Sequence, residues 1–208
     1  MSSVSLLMFC ITVLPLILTP GPDILYITTR GIAQGRRAAL ISTAGVCAGY
    51  VAHTLLAVAG LTAILHASEL LFDAVRYAGA AYLLYLGIKT LRSKAQFEVR
   101  GDRQVHEPRW LFLTGMATSV MNPKGILLFF AYLPQFVSPE AGSVPRQLLI
   151  VGMLFTLMCG IVYGTYALCS SAIGRRLSST PRFADAMRWL TGGVFVGLGL
   201  RLLFSERR

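Results

Sequence analysis

The chain has 208 residues, 55% of them hydrophobic and 13% charged, with a mean hydropathy of +0.65 and a formal net charge of +10. Soluble domains carry about 25% charged residues, so this composition excludes an ordinary soluble domain and reads as an integral membrane protein. The basic residues lie in short clusters between apolar runs, not in a stripe beside stacking aromatics, which excludes a nucleic-acid-binding protein.

A bilayer-crossing helix needs about 20 mostly apolar residues. Six stretches qualify, at about 6–32, 38–65, 70–91, 110–137, 146–173 and 185–205. The first lacks a basic leader and a small-residue cleavage site, so it is expected to be a retained span. It is interrupted by Pro20, Gly21 and Pro22, with Asp23 directly after. In the second, Gly45, Gly49 and His53 follow at steps of four and share one helix face. Small residues there permit close helix packing. His53 is either a satisfied core histidine or a proton relay. Residues 92–109 form the one polar linker, with eight charges in eighteen residues. The fourth stretch is interrupted by Asn122 and Pro123, with Lys124 directly after, and the fifth carries a second GxxxG at Gly160 and Gly164. Cys10, Cys47, Cys159 and Cys169 all fall in apolar segments without CxxC spacing and read as small packing residues. Tyr50, Tyr82, Tyr85 and Tyr132 offer polar handles, with packing or interfacial roles expected for each.

Lys and Arg collect on the cytoplasmic side of a membrane protein. Thirteen of the nineteen lie after the first stretch, around the linker or after the fifth; five lie on the opposite side; Lys124 lies inside a span. This bias puts both termini outside, although the C-terminal "ERR" runs against it and a five-span arrangement is the alternative.

The linker divides the chain into halves of three spans, 1–91 and 110–208. "RYAGAAYLLYLGIKTL" from Arg76 aligns without a gap with "RWLTGGVFVGLGLRLL" from Arg188, pairing Gly87 with Gly199. The first and fourth stretches align so that Pro22 meets Pro123 and Asp23 meets Lys124. Three spans per half reverse the direction of the second half, which makes an inverted repeat, an architecture of many secondary transporters. The fold class expected is therefore all-α, with six transmembrane helices as two inverted three-helix repeats and helices 1 and 4 broken near the midplane.

Proline removes a helix hydrogen bond and clashes with a carbonyl. Freed backbone groups at that depth are tolerated only where they face protein or a wet cavity. The half-helix after each break points its free N–H groups and dipole at that cavity, which suits a carboxylate. A charge at the bilayer centre costs about 2.5–3.5 kcal/mol. Asp23 and Lys124 therefore need compensation from each other, from water or from a bound zwitterion. Candidate substrate-binding residues are Pro20, Gly21, Pro22, Asp23, Asn122, Pro123 and Lys124. Candidate proton-coupling residues are Asp23 and His53, with protons as the coupling ion and no other cofactor or metal. Candidate helix-packing residues are Gly45, Gly49, Gly160 and Gly164. A metal or inorganic-ion exporter is the alternative, with Asp23 and His53 as its only ligands in the spans. An intramembrane enzyme lacks any HExxH or GxSxG motif. A purely structural membrane subunit would leave a dry, closed centre at the breaks.

These residues resemble the LysE/RhtB superfamily of bacterial amino-acid exporters. The resemblance rests on "PGPD" at 20–23, "GRRAAL" at 35–40, the glycines and histidine at 45, 49 and 53, "GAAYLLYLGIKTLR" at 79–92 and "NPKGILLFFAYLPQF" at 122–136. "PGPD" with "NPK" looks like the RhtB branch. The resemblance implies a six-helix protein of the bacterial inner membrane that exports small neutral amino acids or derivatives, by exchange for protons. It admits a homodimer. It leaves the particular amino acid open.

Overall fold

The computed structural model describes residues 3–67, 69–92, 105–179 and 181–204. The linker basic residues Lys94, Arg100 and Arg103 and the C-terminal Arg207 and Arg208 lie outside the described residues, as do the side chains of Arg76, Arg175, Arg176 and Arg182. The orientation expected from the charge bias is thus an expectation from the sequence alone.

The described residues are helical, without strands. They form α1 (Ser3–Leu18), α2 (Pro22–Gln34), α3 (Arg36–Ala67), α4 (Glu69–Arg92), α5 (Pro108–Val120), α6 (Pro123–Leu127), α7 (Val144–Ser179) and α8 (Pro181–Phe204). Between α6 and α7 the chain continues as a π-helical turn, Leu128–Tyr132, and 3-10 turns at Leu133–Phe136 and Pro139–Ala141. Proline starts α2, α5 and α6, where its missing N–H has no intrahelical partner to lose. α1 and α2 meet at a bend of 54°. Among the described residues, α3 and α7 are long and apolar enough to cross a membrane, and the bent α1–α2 pair is a third candidate. α4 and α8 have 24 residues each but carry charges along their length, Lys89 in one and Arg188 and Arg201 in the other.

α3 and α7 form the spine. Gly45 and Gly49 of α3 lie against α5 so closely that a Cβ would sit 2.1 Å from the Phe112 carbonyl oxygen at Gly45 and 2.7 Å from Ser119 Cβ at Gly49. On α7 the close approach is instead at Gly152, where a Cβ would meet the Thr54 side chain at 2.5 Å. Gly160 has only Cys47 Sγ at 3.7 Å, and Gly164 has open space around it.

α4 and α8 pack side by side in antiparallel register. A Cβ on Gly87 would meet Val196 at 2.7 Å and the Gly192 carbonyl at 3.0 Å. One on Gly199 would meet Leu84 at 2.8 Å and the Ala80 carbonyl at 3.1 Å. In the alignment of the halves, residue 80 pairs with 192, 84 with 196 and 87 with 199, so each contact is the other with the halves exchanged. The core between the helices holds Phe9, Tyr50, Phe129, Phe155 and Tyr163.

Candidate functional site

The two breaks meet in this core. α1 ends at Leu18, leaving Thr19, Pro20 and Gly21 outside a helix; α5 ends at Val120, leaving Met121 and Asn122. Asp23, in the first turn of α2, and Asn122, the cap of α6, face each other: Asn122 Nδ2 donates to Asp23 Oδ2 at 3.0 Å. The Tyr50 hydroxyl of α3 donates to the same oxygen at 2.5 Å and lies 3.5 Å from the Tyr163 hydroxyl of α7. Asn122 and Tyr50 thus bond one carboxylate oxygen directly, and α7 reaches it only through Tyr50.

Asp23 and Lys124 do not hold each other. Among the described residues Asp23 makes no ion pair within 4.0 Å. Lys124 instead lies alongside Gly21, and its Nζ donates to the Thr19 carbonyl at 3.1 Å. The electrostatics follow from the severed helices. A cation suits the C-terminal carbonyls of α1 and an acid suits the N-terminal turn of α2. Asn122 links the two charges, since its Oδ1 accepts the Lys124 backbone N–H at 3.0 Å while its Nδ2 serves Asp23.

The other severed end is served the same way. His53 Nε2 lies 3.2 Å from the Ser119 carbonyl, near the C-terminus of α5. Lys124 of the second half thus reaches the end of α1, and His53 of the first half reaches the end of α5. His53 stacks on Phe129, and Phe155 meets both Phe129 and Tyr50 edge-on.

Asp23, Tyr50, His53, Asn122, Lys124 and Tyr163 are all buried, none more than 8% exposed. The centre is closed, yet it is not a satisfied polar core. Asp23 Oδ1, His53 Nδ1 and Ser119 Oγ are buried without a hydrogen-bond partner. Native cores rarely leave such atoms unpaired. An open carboxylate oxygen, an imidazole nitrogen and a hydroxyl in a buried centre can receive an ammonium, a water or a proton. No group of three His, Cys, Asp or Glu side chains that could hold a metal exists among the described residues.

Of the residues expected at the site, Gly21, Pro22, Asp23, Asn122, Pro123 and Lys124 lie at the meeting point of the breaks, His53 borders it and Pro20 lies in the first break. Tyr50 was legible as a polar handle but not as the partner of Asp23. Tyr163, Thr19 and Ser119 were not singled out. The available signal for Tyr163 was its place deep within an apolar run, away from the interfaces that tyrosine prefers.

The sequence model of the LysE type translocator family matches residues 14–206. The leucine efflux protein of an Enterobacter species is 31% identical over 189 residues, covering 90% of this chain and 89% of its own length. An uncharacterized membrane protein of Vibrio cholerae is 29% identical over 200 residues, covering 96% and 97%. The uncharacterized membrane protein YrhP of Bacillus subtilis is 25% identical over 195 residues, covering 89% and 92%. No solved structure matches.

Proposed function

The chain belongs to the LysE type translocator family, a transporter and not an enzyme, and on that premise we propose that it exports a small neutral amino acid across a bacterial inner membrane in exchange for protons. The observation that carries this reading is the meeting of both helix breaks around one buried acid with an unpartnered oxygen. The substrate ammonium docks on Asp23 Oδ1. Its carboxylate takes Lys124 Nζ from the Thr19 carbonyl and reaches the first turn of α2, which no side chain caps. An uncharged side chain fits the aromatic wall of Tyr50, Phe129 and Phe155. The leucine efflux relatives support the same substrate class.

Protons return on Asp23 when the substrate has left, with His53 as the neighbouring relay. The two halves act as six spans in an inverted repeat, with both termini outside and the linker in the cytoplasm. The reciprocal contacts of Gly87 and Gly199 support that symmetry. Rocking of one half against the other exposes the site to each side in turn. A static Asp23–Asn122–Lys124 clamp is the second reading, favoured by the closed packing; the unpartnered atoms count against it.

The test is efflux of labelled leucine, alanine, threonine and lysine from loaded proteoliposomes under a proton gradient. Neutral amino acids are expected to leave and lysine to stay. Asp23→Asn should lower proton-driven efflux by about 100-fold. Unchanged proton-coupled efflux in that variant overturns the role of Asp23, and export of lysine alone overturns the substrate class.

A further inference from the structure

Each half-helix that follows a break carries a charge in its first turn and an arginine–aromatic cluster at its far end. On α2, Asp23, Ile27 and Arg30 share the buried face. Arg30 lies seven residues after Asp23, about 10 Å along the axis. It is buried, with its guanidinium 5.2 Å from the Trp110 ring centroid and 5.9 Å from that of Tyr26. Tyr26 donates its hydroxyl to the Leu111 carbonyl, and Gln34 Nε2 donates to the His106 carbonyl, so this end is tied across to the start of α5. On the segment after the second break, Tyr132 lies eight residues after Lys124, at the end of the π-helical turn. Arg201 Nη1 donates to the Tyr132 hydroxyl at 3.0 Å. Its guanidinium is 5.8 Å from the Tyr132 ring and 5.5 Å from that of Phe136, and Phe136 meets Phe9 of α1 edge-on at 5.1 Å.

The first cluster joins the two halves through its arginine, and the second joins them through the Phe9–Phe136 ring pair, with Arg201 and Tyr132 of the second half holding Phe136. Arg30 and Tyr26 of the first half meet Trp110 and Leu111 of the second; Phe9 of the first half meets Phe136 of the second. A contact between the moving halves must break when a path opens at that end. We propose that Arg30–Tyr26–Trp110 and Phe9–Phe136 are the two gates of the transport path, the first at the end where α4 stops and α5 starts and the second at the end where α1 starts and α8 stops, with Arg201 and Tyr132 positioning Phe136 and both gates shut in this occluded structure. The cation–π contact of buried Arg30 suits the first gate, because it is strong when desolvated and weakened when wetted, and an edge-on ring pair suits the second. The inference rests on the alternating-access reading above.

The test uses Cys159, fully buried on α7 one helical turn before Tyr163, as the only thiol, with Cys10, Cys47 and Cys169 changed to alanine. A small membrane-impermeant thiol reagent is applied to oriented vesicles from one face and then the other. Trp110→Ala should speed labelling of Cys159 about tenfold from the linker face only, and Phe136→Ala about tenfold from the terminal face only. Trp110→Phe, which keeps a ring, should label as slowly as the parent. Arg30→Gln and Arg201→Gln form a milder second pair with the same sidedness, available should a ring deletion fail to fold. No change, equal gains from both faces or reversed sidedness overturns the gates. Sided labelling without export of any amino acid leaves the gates standing and overturns the export reading; amino-acid export without sided labelling does the reverse.

Discussion

Between Leu18 and Pro22 the chain spends three residues outside a helix and turns by 54°; between Val120 and Pro123 it spends two. The second break supplies its own cap, since Asn122 Oδ1 accepts the Lys124 N–H in the manner of an ordinary N-cap. The first has glycine in that place and no side-chain cap. Its loose carbonyl is held from outside, by Lys124. The two breaks align in sequence but differ in self-sufficiency. Each severed C-terminal end is reached from the opposite half, by Lys124 or His53, but only the second break caps the helix that follows it; the start of α2 is the open end that the proposed substrate would complete.

Lys124→Met tests this difference most severely. It leaves the buried Thr19 carbonyl without its charged donor, which costs about 3 kcal/mol, and removes the lysine that Asn122 links to Asp23. Heating in detergent followed by size-exclusion should show that loss in the folded fraction, together with loss of efflux. Asn122→Ala removes a cap and one donor to Asp23, for about 2 kcal/mol. Stability after Asn122→Ala equal to that of Lys124→Met would mean the second break depends on outside help as much as the first. Tyr50→Phe removes only the hydroxyl bond to Asp23, for about 1 kcal/mol, and should alter efflux more than melting temperature. His53→Gln keeps a side-chain donor toward Ser119 but loses the stacking on Phe129, so stability should fall by about 1 kcal/mol while proton coupling falls. Smallest of all is Gly164→Ala. Its Cβ would enter open space, so neither stability nor efflux should move beyond about 0.5 kcal/mol. The same change at Gly45, against the Phe112 carbonyl, should cost about 1–3 kcal/mol.

The breaks, the acid and the lysine were legible because each violates the local pattern: proline and charge in an apolar run are conspicuous. The family resemblance was legible for the same reason, and the match over residues 14–206 shows it. Tyr50, Tyr163 and Arg30 were not legible in their roles, because nothing local distinguishes them. A tyrosine in a greasy helix is ordinary, and Arg30 follows an apolar run just as a topology-setting arginine does. The structure buries it over Tyr26 and Trp110 instead. The two GxxxG motifs look alike in sequence, yet only the one at Gly45 and Gly49 has a helix pressed against it.

Composition and periodicity by themselves determined an apolar, all-helical membrane protein with two helix breaks, because helix formation and proline disruption are decided within a few residues along the chain. Which groups satisfy the severed ends was decided only by tertiary structure. The Thr19 carbonyl is reached by a lysine 105 positions away, and the Asp23 carboxylate by residues 27 and 99 positions away. Burial forbids leaving most such groups unpaired, and only the folded arrangement of the helices brings within reach the side chains that can pair them.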